Sequence, residues 1–287
     1  MTPPSDRSRS IAQVFDRVAP TYDSVGVAWF RPIAEHLVRE LAPRAGERAL
    51  DVGSGRGAVL LPLAERVGPT GHVTGIDLAS GMIEALRSDI DAAGLTNADV
   101  RLQDASAPDL DPASFDLLAS SLVLFFLPDP PAALRQWFDL LVPGGRIGVT
   151  TFGPRDQNFI AVDSVFTPFL PQQMLDARTS GTAGPFADDA GVENLLSEAG
   201  FVDIRTDHLE ISAVFRDAEH WVEWSWSHGQ RAMWEAVPQE QHPQVRAEIA
   251  RILSAAQDPS GTITLRQQVR YTFGRRPSPR PGSSGLS

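Results

Sequence analysis

The sequence predicts an α/β fold in which helices cover both faces of a mostly parallel sheet. Two observations predict it. Short apolar runs alternate with stretches of helical spacing between residues 48 and 152, and the first two runs each lead into an acid, Asp51 and Asp77. This alternation is typical of strand–helix units whose strands lie side by side in one sheet.

Apolar periodicity and turn residues predict the individual elements. The predicted strands span residues 48–53, 72–77, 99–104, 115–121, 145–152, 201–215 and 262–273. The main predicted helices span residues 8–18, 29–41, 57–67, 80–93, 130–142 and 188–199. The chain therefore alternates between strand and helix as far as residue 152 and resumes the pattern after residue 187.

Two helical inserts interrupt this pattern and divide the chain. The predicted segments are an N-terminal helical lid (1–44), a core (45–153), a helical cap insert (154–186), a core continuation (187–216), a second helical cap insert (217–257), the last core strand (258–274) and a disordered tail (275–287). We expect both inserts to lie over the carboxyl ends of the strands, where open α/β sheets bind ligands.

Residues 49–58, Ala-Leu-Asp-Val-Gly-Ser-Gly-Arg-Gly-Ala, carry the strongest functional signal. An apolar strand is followed by glycines at alternate positions, 53, 55 and 57, and then by helical spacing. Glycine has no Cβ, so a ligand can touch the backbone of such a turn. Asp77 ends the next strand, where an acid commonly accepts hydrogen bonds from ribose hydroxyls. The two features predict a nucleoside-containing cofactor.

The same turn also fits the permissive dinucleotide pattern, with Gly53, Gly55 and Ala58 in register. Three features disfavour a nicotinamide enzyme. Asp51 stands where such folds usually keep an apolar residue, and Asp104 ends the third predicted strand. All 25 basic residues are arginine, which excludes a catalytic lysine.

These motifs resemble, in order, those of class I S-adenosylmethionine-dependent methyltransferases, over about residues 10 to 152. Residues 51–57 are similar to the first family motif, 103–105 to its adenine-edge motif, and 141–149 to the segment that closes the cofactor half. The segment 19–23, Ala-Pro-Thr-Tyr-Asp, is similar to the N-terminal segment of members that methylate small molecules, such as quinone-biosynthesis and natural-product enzymes.

The resemblance implies a Rossmann-like, doubly wound, seven-stranded sheet with an antiparallel last strand. It also implies S-adenosylmethionine as cofactor, and methyl transfer to a carbon or oxygen of a hydrophobic or aromatic small molecule in secondary metabolism or quinone-like biosynthesis. A nicotinamide-dependent oxidoreductase and a non-catalytic protein with the methyltransferase fold are the alternatives.

The resemblance assigns cofactor binding to residues in the lid and at the strand ends: Tyr22, Asp51, Gly53, Ser54, Gly55, Asp77, Leu78, Met82, Asp104, Ala105 and Ser120. Several have a structural alternative. Asp77 is also suited to cap the following helix, Asp51 to hold the turn, and Leu78 and Met82 to pack in the core. Arg31 is a further candidate partner for the cofactor carboxylate or for an acidic substrate.

Catalytic and substrate roles are predicted mainly in the inserts. The candidate pocket residues are Phe166, Phe169, Trp221, Trp224 and His228, the last three on one face if the segment is a single helix. His228 is the first candidate for a general base and His208 the second, while Tyr22 is a candidate to close the site. Core packing and a dimer contact are the competing interpretation of the tryptophans.

Composition limits the partners. The net charge of −11 argues against a nucleic-acid surface. The chain has no cysteine, and its acids lack convincing metal-ligand spacing, so we expect no metal. No apolar run suggests a membrane span, and we expect a cytoplasmic protein with a small-molecule substrate. A homo-oligomer through the N-terminal helix is compatible with the sequence.

Overall fold

The computed structural model describes residues 4–172 and 182–278. Its seven strands form one sheet in the order β3-β2-β1-β4-β5-β7-β6. They are β1 (Arg48–Val52), β2 (His72–Asp77), β3 (Ala98–Leu102), β4 (Phe115–Ser121), β5 (Leu141–Arg155), β6 (Val202–Phe215) and β7 (Ile263–Arg275). β7 runs antiparallel to both β5 and β6, and the other strands are parallel. The predicted Rossmann-like doubly wound sheet is confirmed.

Ten α-helices are found in the described residues. They are α1 (Asp6–Val18), α2 (Phe30–Leu41), α3 (Leu60–Val67), α4 (Ser80–Ala92), α5 (Pro130–Leu140), α6 (Gln157–Ser164), α7 (Asp189–Glu198), α8 (Ala218–Trp226), α9 (Arg231–Ala236) and α10 (His242–Ser254). None of them is long and apolar enough to cross a lipid bilayer.

The two inserts leave the sheet at its carboxyl edge, which we define as the end where β1 to β6 finish. β5 leads into α6, and β6 leads into α8, α9 and α10 before the chain returns as β7. Pairing of Phe215 with Ile263 places the exit and the return at neighbouring positions. Residues 173–181 of the first insert lie outside the described residues.

Several predicted boundaries were wrong. α3 begins at Leu60 and not at residue 57, because residues 53–58 form the glycine turn. β3 ends at Leu102, so Asp104 lies in the loop beyond it. β5 extends over residues 141–155 because it pairs with both β4 and β7.

The predicted disordered tail begins too early. β7 includes Arg275, and the guanidinium of Arg276 donates to the carbonyls of Phe138, Asp139 and Leu141 at 3.0, 3.0 and 2.7 Å. These bonds attach the chain to the end of α5. Residues 279–287 of the tail lie outside the described residues.

Candidate active site

The turn after β1 is bonded to the end of β2. The backbone N–H groups of Gly53 and Ser54 donate to the carbonyl of the residue before Asp77 at 2.8 and 3.0 Å. The N–H of Gly55 donates to Oδ2 of Asp77 at 2.9 Å, and Oδ1 accepts from the N–H of Ala79 at 2.9 Å. The glycine motif and the predicted ribose acid therefore form one unit at the carboxyl edge.

The three glycines of the turn are required for different reasons. Their φ angles are all positive, at 75° for Gly53, 49° for Gly55 and 82° for Gly57. A Cβ on Gly53 would lie 2.3 Å from Val123, and one on Gly57 would lie 2.5 Å from Leu86. A Cβ on Gly55 would meet no atom within 4 Å. The open side of the turn, where a ligand can touch bare backbone, is therefore at Gly55.

Two carboxyl groups lie at this edge. Asp51 is 1% exposed, and its Oδ2 has no hydrogen-bond partner. Burial, and then the charge of Asp77, raise the pKa of Asp51 to about 8, against a backbone hydrogen bond from Leu60. Burial also raises the pKa of Asp77, against the backbone hydrogen bonds from Ala79 and Gly55. Such a site suits a ligand that brings hydroxyl or ammonium groups.

The loop after β3 is held by its own contacts. Oδ1 of Asp104 accepts from the N–H of Ser106 at 2.8 Å. The carbonyl of Ala105 accepts from the indole Nε1 of Trp137 at 2.8 Å. The hydroxyl of Ser106 is buried without a partner. The predicted adenine-edge residues thus occupy a fixed loop beside the end of β2.

β4 ends in a strained turn that sequence reasoning missed. The hydroxyl of Ser120 donates to the carbonyl of Val52 at 3.1 Å, so this side chain joins β4 to β1. Leu122 has a φ of 59°, and its N–H donates to Oγ1 of Thr150 at 2.9 Å. Ser121 contacts the same Oγ1 at 3.0 Å. A leucine at this φ gives no sequence signal, and its strain of about 1–3 kcal/mol is concentrated at the carboxyl edge.

Two charged residues that sequence reasoning overlooked fix α1 beside the glycine turn. Oδ1 of Asp16 accepts from the N–H of Gly81 at 2.8 Å and so caps α4. Arg56, inside the turn, donates to the carbonyl of Ala19 at 2.9 Å and to Asp89 at 2.6 Å. Asp16 of α1 therefore caps α4. Asp77 does not cap it, because the N–H groups that donate to Asp77 belong to residues that precede the helix.

Met82 packs against α1. It is 1% exposed and forms a small apolar cluster with Val18, Ala19 and Ala79. This supports the packing alternative for Met82. Leu78 is half-buried beside this cluster and is open to a packing or a ligand role.

A series of ring contacts connects the lid with the second insert. Tyr22 stacks on Phe30 with ring centroids 4.6 Å apart, and Phe30 meets His228 edge-on at 5.9 Å. His228 lies 4.2 Å from Trp224. Burial, and then the charges of Asp23 and Asp77, raise the pKa of the Tyr22 phenol well above its usual value. Tyr22 thus lies between Asp77 and the aromatic rings of Phe30 and His228.

The prediction that His228 shares a helical face with Trp221 and Trp224 was wrong, because α8 ends at Trp226. His228 lies in the turn that follows. Its contact with Trp224 comes from the bend of the chain, not from helical spacing. Trp221 is fully buried, and Trp224 is 5.4 Å from Trp29.

The first insert contributes packing. Phe166 is fully buried, and its ring meets Trp234 of α9 edge-on at 4.9 Å. Phe169 is half-buried and packs against the same core. Phe166 therefore joins the two inserts, and a direct substrate role for either phenylalanine remains a prediction.

Two further candidates are placed elsewhere. His208 lies on the edge strand β6, where its Nε2 is 3.0 Å from Asp189, so it is not a second general base at the carboxyl ends of β1 and β2. Arg31 is exposed and pairs with Glu35 at 2.7 Å on the same helix. An intrahelical partner therefore occupies the guanidinium expected to bind a carboxylate.

In residues 4–172 and 182–278, eight buried side-chain atoms have no hydrogen-bond partner, and seven of them fall in two places. Three lie at the carboxyl edge: Asp51 Oδ2, Ser54 Oγ and Ser106 Oγ. Four lie in the second insert: Trp221 Nε1, Trp226 Nε1, His228 Nε2 and Gln230 Oε1. Tyr271 OH is the eighth. Unpartnered buried polar atoms are costly, so each of these atoms is expected to find its partner in a bound water or a ligand.

The sheet, the glycine turn and the acid at the end of β2 define an α/β protein that binds a nucleoside-containing cofactor at its carboxyl edge. Comparison with family models matches residues 49–145 to a family described as Methyltransferase domain.

Two curated relatives extend the match. Nocamycin O-methyltransferase of Saccharothrix syringae is 38% identical over 277 residues, which is 91% of this chain and 97% of the relative. Aklanonic acid methyltransferase of Streptomyces sp. (strain C5) is 42% identical over 172 residues, 60% of this chain and 78% of that one. Among solved structures, a Haemonchus contortus phosphoethanolamine N-methyltransferase in complex with S-adenosyl-L-methionine shares the fold, with a TM-score of 0.55, 15% identity and coverage of 93% of this chain and 57% of that chain.

The chain belongs to the class I S-adenosylmethionine-dependent methyltransferases that act on small molecules. Its cofactor is S-adenosylmethionine, and its activity is small-molecule methylation in secondary metabolism. The residues fit this cofactor, since Asp51 Oδ2 and Ser54 Oγ are buried acceptors without partners and Gly55 faces open space. The nicotinamide alternative is thereby set aside.

Proposed function

We propose that the methyl group is transferred to an oxygen atom of an acidic, hydrophobic small molecule. The sequence left carbon and oxygen open. The observation that carries the choice is the set of buried, unpartnered N–H groups in the second insert, on Trp221, Trp226 and His228. Donors without partners suit a substrate that brings oxygen lone pairs.

The relatives support this choice. One is named an O-methyltransferase, and the other is named for an acid, aklanonic acid. The surroundings of the His228 donor are aromatic, since its ring contacts Trp224, which is itself in ring contact with Trp29 and Phe215. An apolar substrate body with an oxygen-rich group matches both properties.

We assign cofactor binding to the carboxyl edge. Asp77 would accept from the ribose hydroxyls, Asp51 would face the amino-acid part, and Asp104 with Ala105 would meet the adenine edge. The bound cofactor supplies an electrophilic methyl group on a sulfonium. α1 would act as a lid, and the two inserts as the cap that excludes water and holds the acceptor oxygen about 3 Å from that methyl group.

The acceptor is tested by incubating the protein with methyl-¹³C-labelled cofactor and matched aromatic carboxylic acids, phenols and quinols. ¹³C NMR separates a methyl ester from an aryl ether and from a methyl on carbon. We expect the carboxylic acids to be methylated on oxygen with the highest kcat/KM. Methylation on carbon, or of phenols alone, would contradict the proposal.

The cytoplasmic location, the absence of nucleic-acid binding and a homo-oligomeric state stay predictions. Gel filtration with light scattering measures the oligomeric state directly.

A further inference from the structure

His228 is enclosed where the lid meets the second insert. Its residue exposure is 8%, and its ring lies between Trp224, at 4.2 Å, and Phe30, at 5.9 Å. α8 has ended two residues earlier, so the imidazole projects from a turn. The neighbouring rings surround the imidazole with apolar surface. Its hydrogen-bond partner therefore comes from the turn in which it lies.

The two ring nitrogens have different surroundings. The backbone N–H of Gln230 donates to Nδ1 at 3.3 Å, so Nδ1 acts as an acceptor. Nε2 is buried and has no partner among the described residues. Burial lowers the pKa of His228 to about 3, so the ring is neutral at physiological pH. A neutral imidazole that accepts at Nδ1 carries its proton on Nε2.

The donor of that bond is itself fixed by the first insert. Nε2 of Gln230 donates to Oδ1 of Asp163 at 2.7 Å. Asp163 lies in α6, is 4% exposed, and pairs through Oδ2 with Arg155 at the end of β5. A polar link thus runs from the core sheet through both inserts to the turn that holds His228, and the backbone N–H of Gln230 in that turn sets the tautomer of the imidazole.

We propose that His228 binds the methyl acceptor by donating a hydrogen bond from Nε2–H to a substrate oxygen, and that it is not the general base. This rests on the proposed function and narrows it to substrates that are already ionised when they bind. Carboxylic acids are ionised at neutral pH, whereas ordinary phenols are protonated there.

The chemistry of a carboxylate acceptor is consistent with a donor at this position. One carboxylate oxygen forms the new O–C bond, the S–C bond of the sulfonium breaks, and its electron pair stays on sulfur. The products are a neutral ester and a thioether, and no proton is released. A base is therefore unnecessary, and a donor to the second oxygen orients the nucleophile.

Matched variants of His228 test the role of Nε2–H. His228→Phe keeps an aromatic ring and removes the donor, whereas His228→Gln keeps an amide N–H donor. We expect the Phe variant to raise KM for a carboxylic acid at least tenfold and the Gln variant to recover most of the loss. Calorimetric binding of S-adenosylhomocysteine should match wild type in both, which shows that the fold and cofactor site are intact.

The pH profile distinguishes a donor from a base. A general base would make kcat/KM of the wild type for a carboxylic acid rise with pH, with a pKa between 5 and 8, and His228→Gln would abolish that rise. We expect no such rise in the wild type. Such a limb, or an inactive Gln variant with unchanged substrate affinity, would identify a general base and overturn the inference. An unchanged KM in His228→Phe would overturn it as well.

Gln230 provides a second matched pair. Its φ of −66° fits proline, so Gln230→Pro removes the N–H that fixes Nδ1, whereas Gln230→Ala keeps it. Long-range ¹H–¹⁵N spectra of histidine-labelled protein should show the Nε2–H tautomer in wild type and Gln230→Ala and a mixture in Gln230→Pro, with circular dichroism as the fold control. A wild-type Nδ1–H tautomer would refute the donor.

The two proposals fail separately. If wild type methylates no carboxylic acid, the proposed function is wrong. If it does so and His228→Phe behaves like wild type, only the role of His228 is wrong.

Discussion

The carboxyl edge and the second insert both bury polar atoms without partners, but the atoms differ in kind. The edge presents a carboxyl oxygen, Asp51 Oδ2, and two serine hydroxyls that can accept or donate, whereas the insert presents mainly N–H donors, with Gln230 Oε1 as the exception. A cofactor with hydroxyl and ammonium groups complements the first region. An acceptor molecule rich in oxygen complements the second. Under the proposed function, this difference would direct the two ligands to separate places.

Removing Asp77, the acid at the end of β2, should give the largest effect. Asp77→Ala loses the bonds to Gly55 and Ala79 and the ribose contacts proposed for this carboxylate. With charge-assisted bonds worth about 1.5–3 kcal/mol each, we expect S-adenosylhomocysteine to bind more than about 100-fold more weakly by calorimetry. Asp99→Asn, which changes an acid on the neighbouring β3, is the control and should bind normally. Equal losses in both variants would contradict the assignment.

The acceptor character of Asp51 should make cofactor binding depend on pH. Its pKa is raised to about 8 by burial and by Asp77, so binding that needs the ionised form should strengthen about tenfold per pH unit up to pH 8. Calorimetry in buffers of different ionisation enthalpy should detect proton release at pH 7 in wild type and none in Asp51→Asn. Identical proton release in the two proteins would contradict this role.

The same raised pKa affects the free protein. A carboxyl whose folded pKa exceeds its unfolded value contributes stability that is present below about pH 4 and is lost as pH rises through about 8. Urea unfolding without cofactor should therefore show wild type losing stability over that range relative to Asp51→Asn. A flat difference between the two proteins would indicate an ordinary pKa.

Two glycine substitutions should separate binding from folding within the edge. Both residues have positive φ, so both substitutions carry backbone strain. Gly55→Ala adds a Cβ in open space, and we expect a folded protein that binds S-adenosylhomocysteine about tenfold more weakly. Gly53→Ala places its Cβ 2.3 Å from Val123 and should instead lower stability by about 1–3 kcal/mol. Thermal unfolding and calorimetry on the pair check the contrast.

The smallest effect is expected where the lid meets the second insert. Arg17 of α1 donates twice to Glu235 of α9, at 2.9 and 2.6 Å, and both side chains are partly exposed. A double-mutant cycle in urea should give a coupling of about 0.5–1 kcal/mol. Removing the ion pair between Arg251 and Glu248, within α10, is the control. This change should leave KM for the acceptor unchanged. A coupling near zero would mean that α1 is held by apolar packing and by the bonds of Asp16 and Arg56.

The carboxyl edge was predicted well because its signals are local. Asp51, the three glycines and Asp77 lie within 27 residues, and each marks a strand end or a positive φ that backbone sterics require. The seven strands followed from apolar runs. Leu122 was missed, since a strained leucine resembles any other leucine in a sequence.

The cap was predicted less well because its contacts are distant along the chain. His228 was chosen as a base from its residue type, but its tautomer depends on Gln230, and Gln230 is fixed by Asp163, 67 residues away. The prediction of a single helical face over residues 221–228 was wrong because α8 ends at Trp226. Periodicity does not reveal where a helix gives way to a turn packed by other elements.

The sequence by itself determined the sheet, the glycine turn, the acid at the end of β2 and the cofactor class, because strand periodicity and the φ of glycine are properties of short segments. Only the tertiary structure decided which nitrogen of His228 is free, why Asp51 carries a raised pKa and that Asp16 caps α4. Those properties depend on burial and on partners from other elements, and the folded chain alone brings these together.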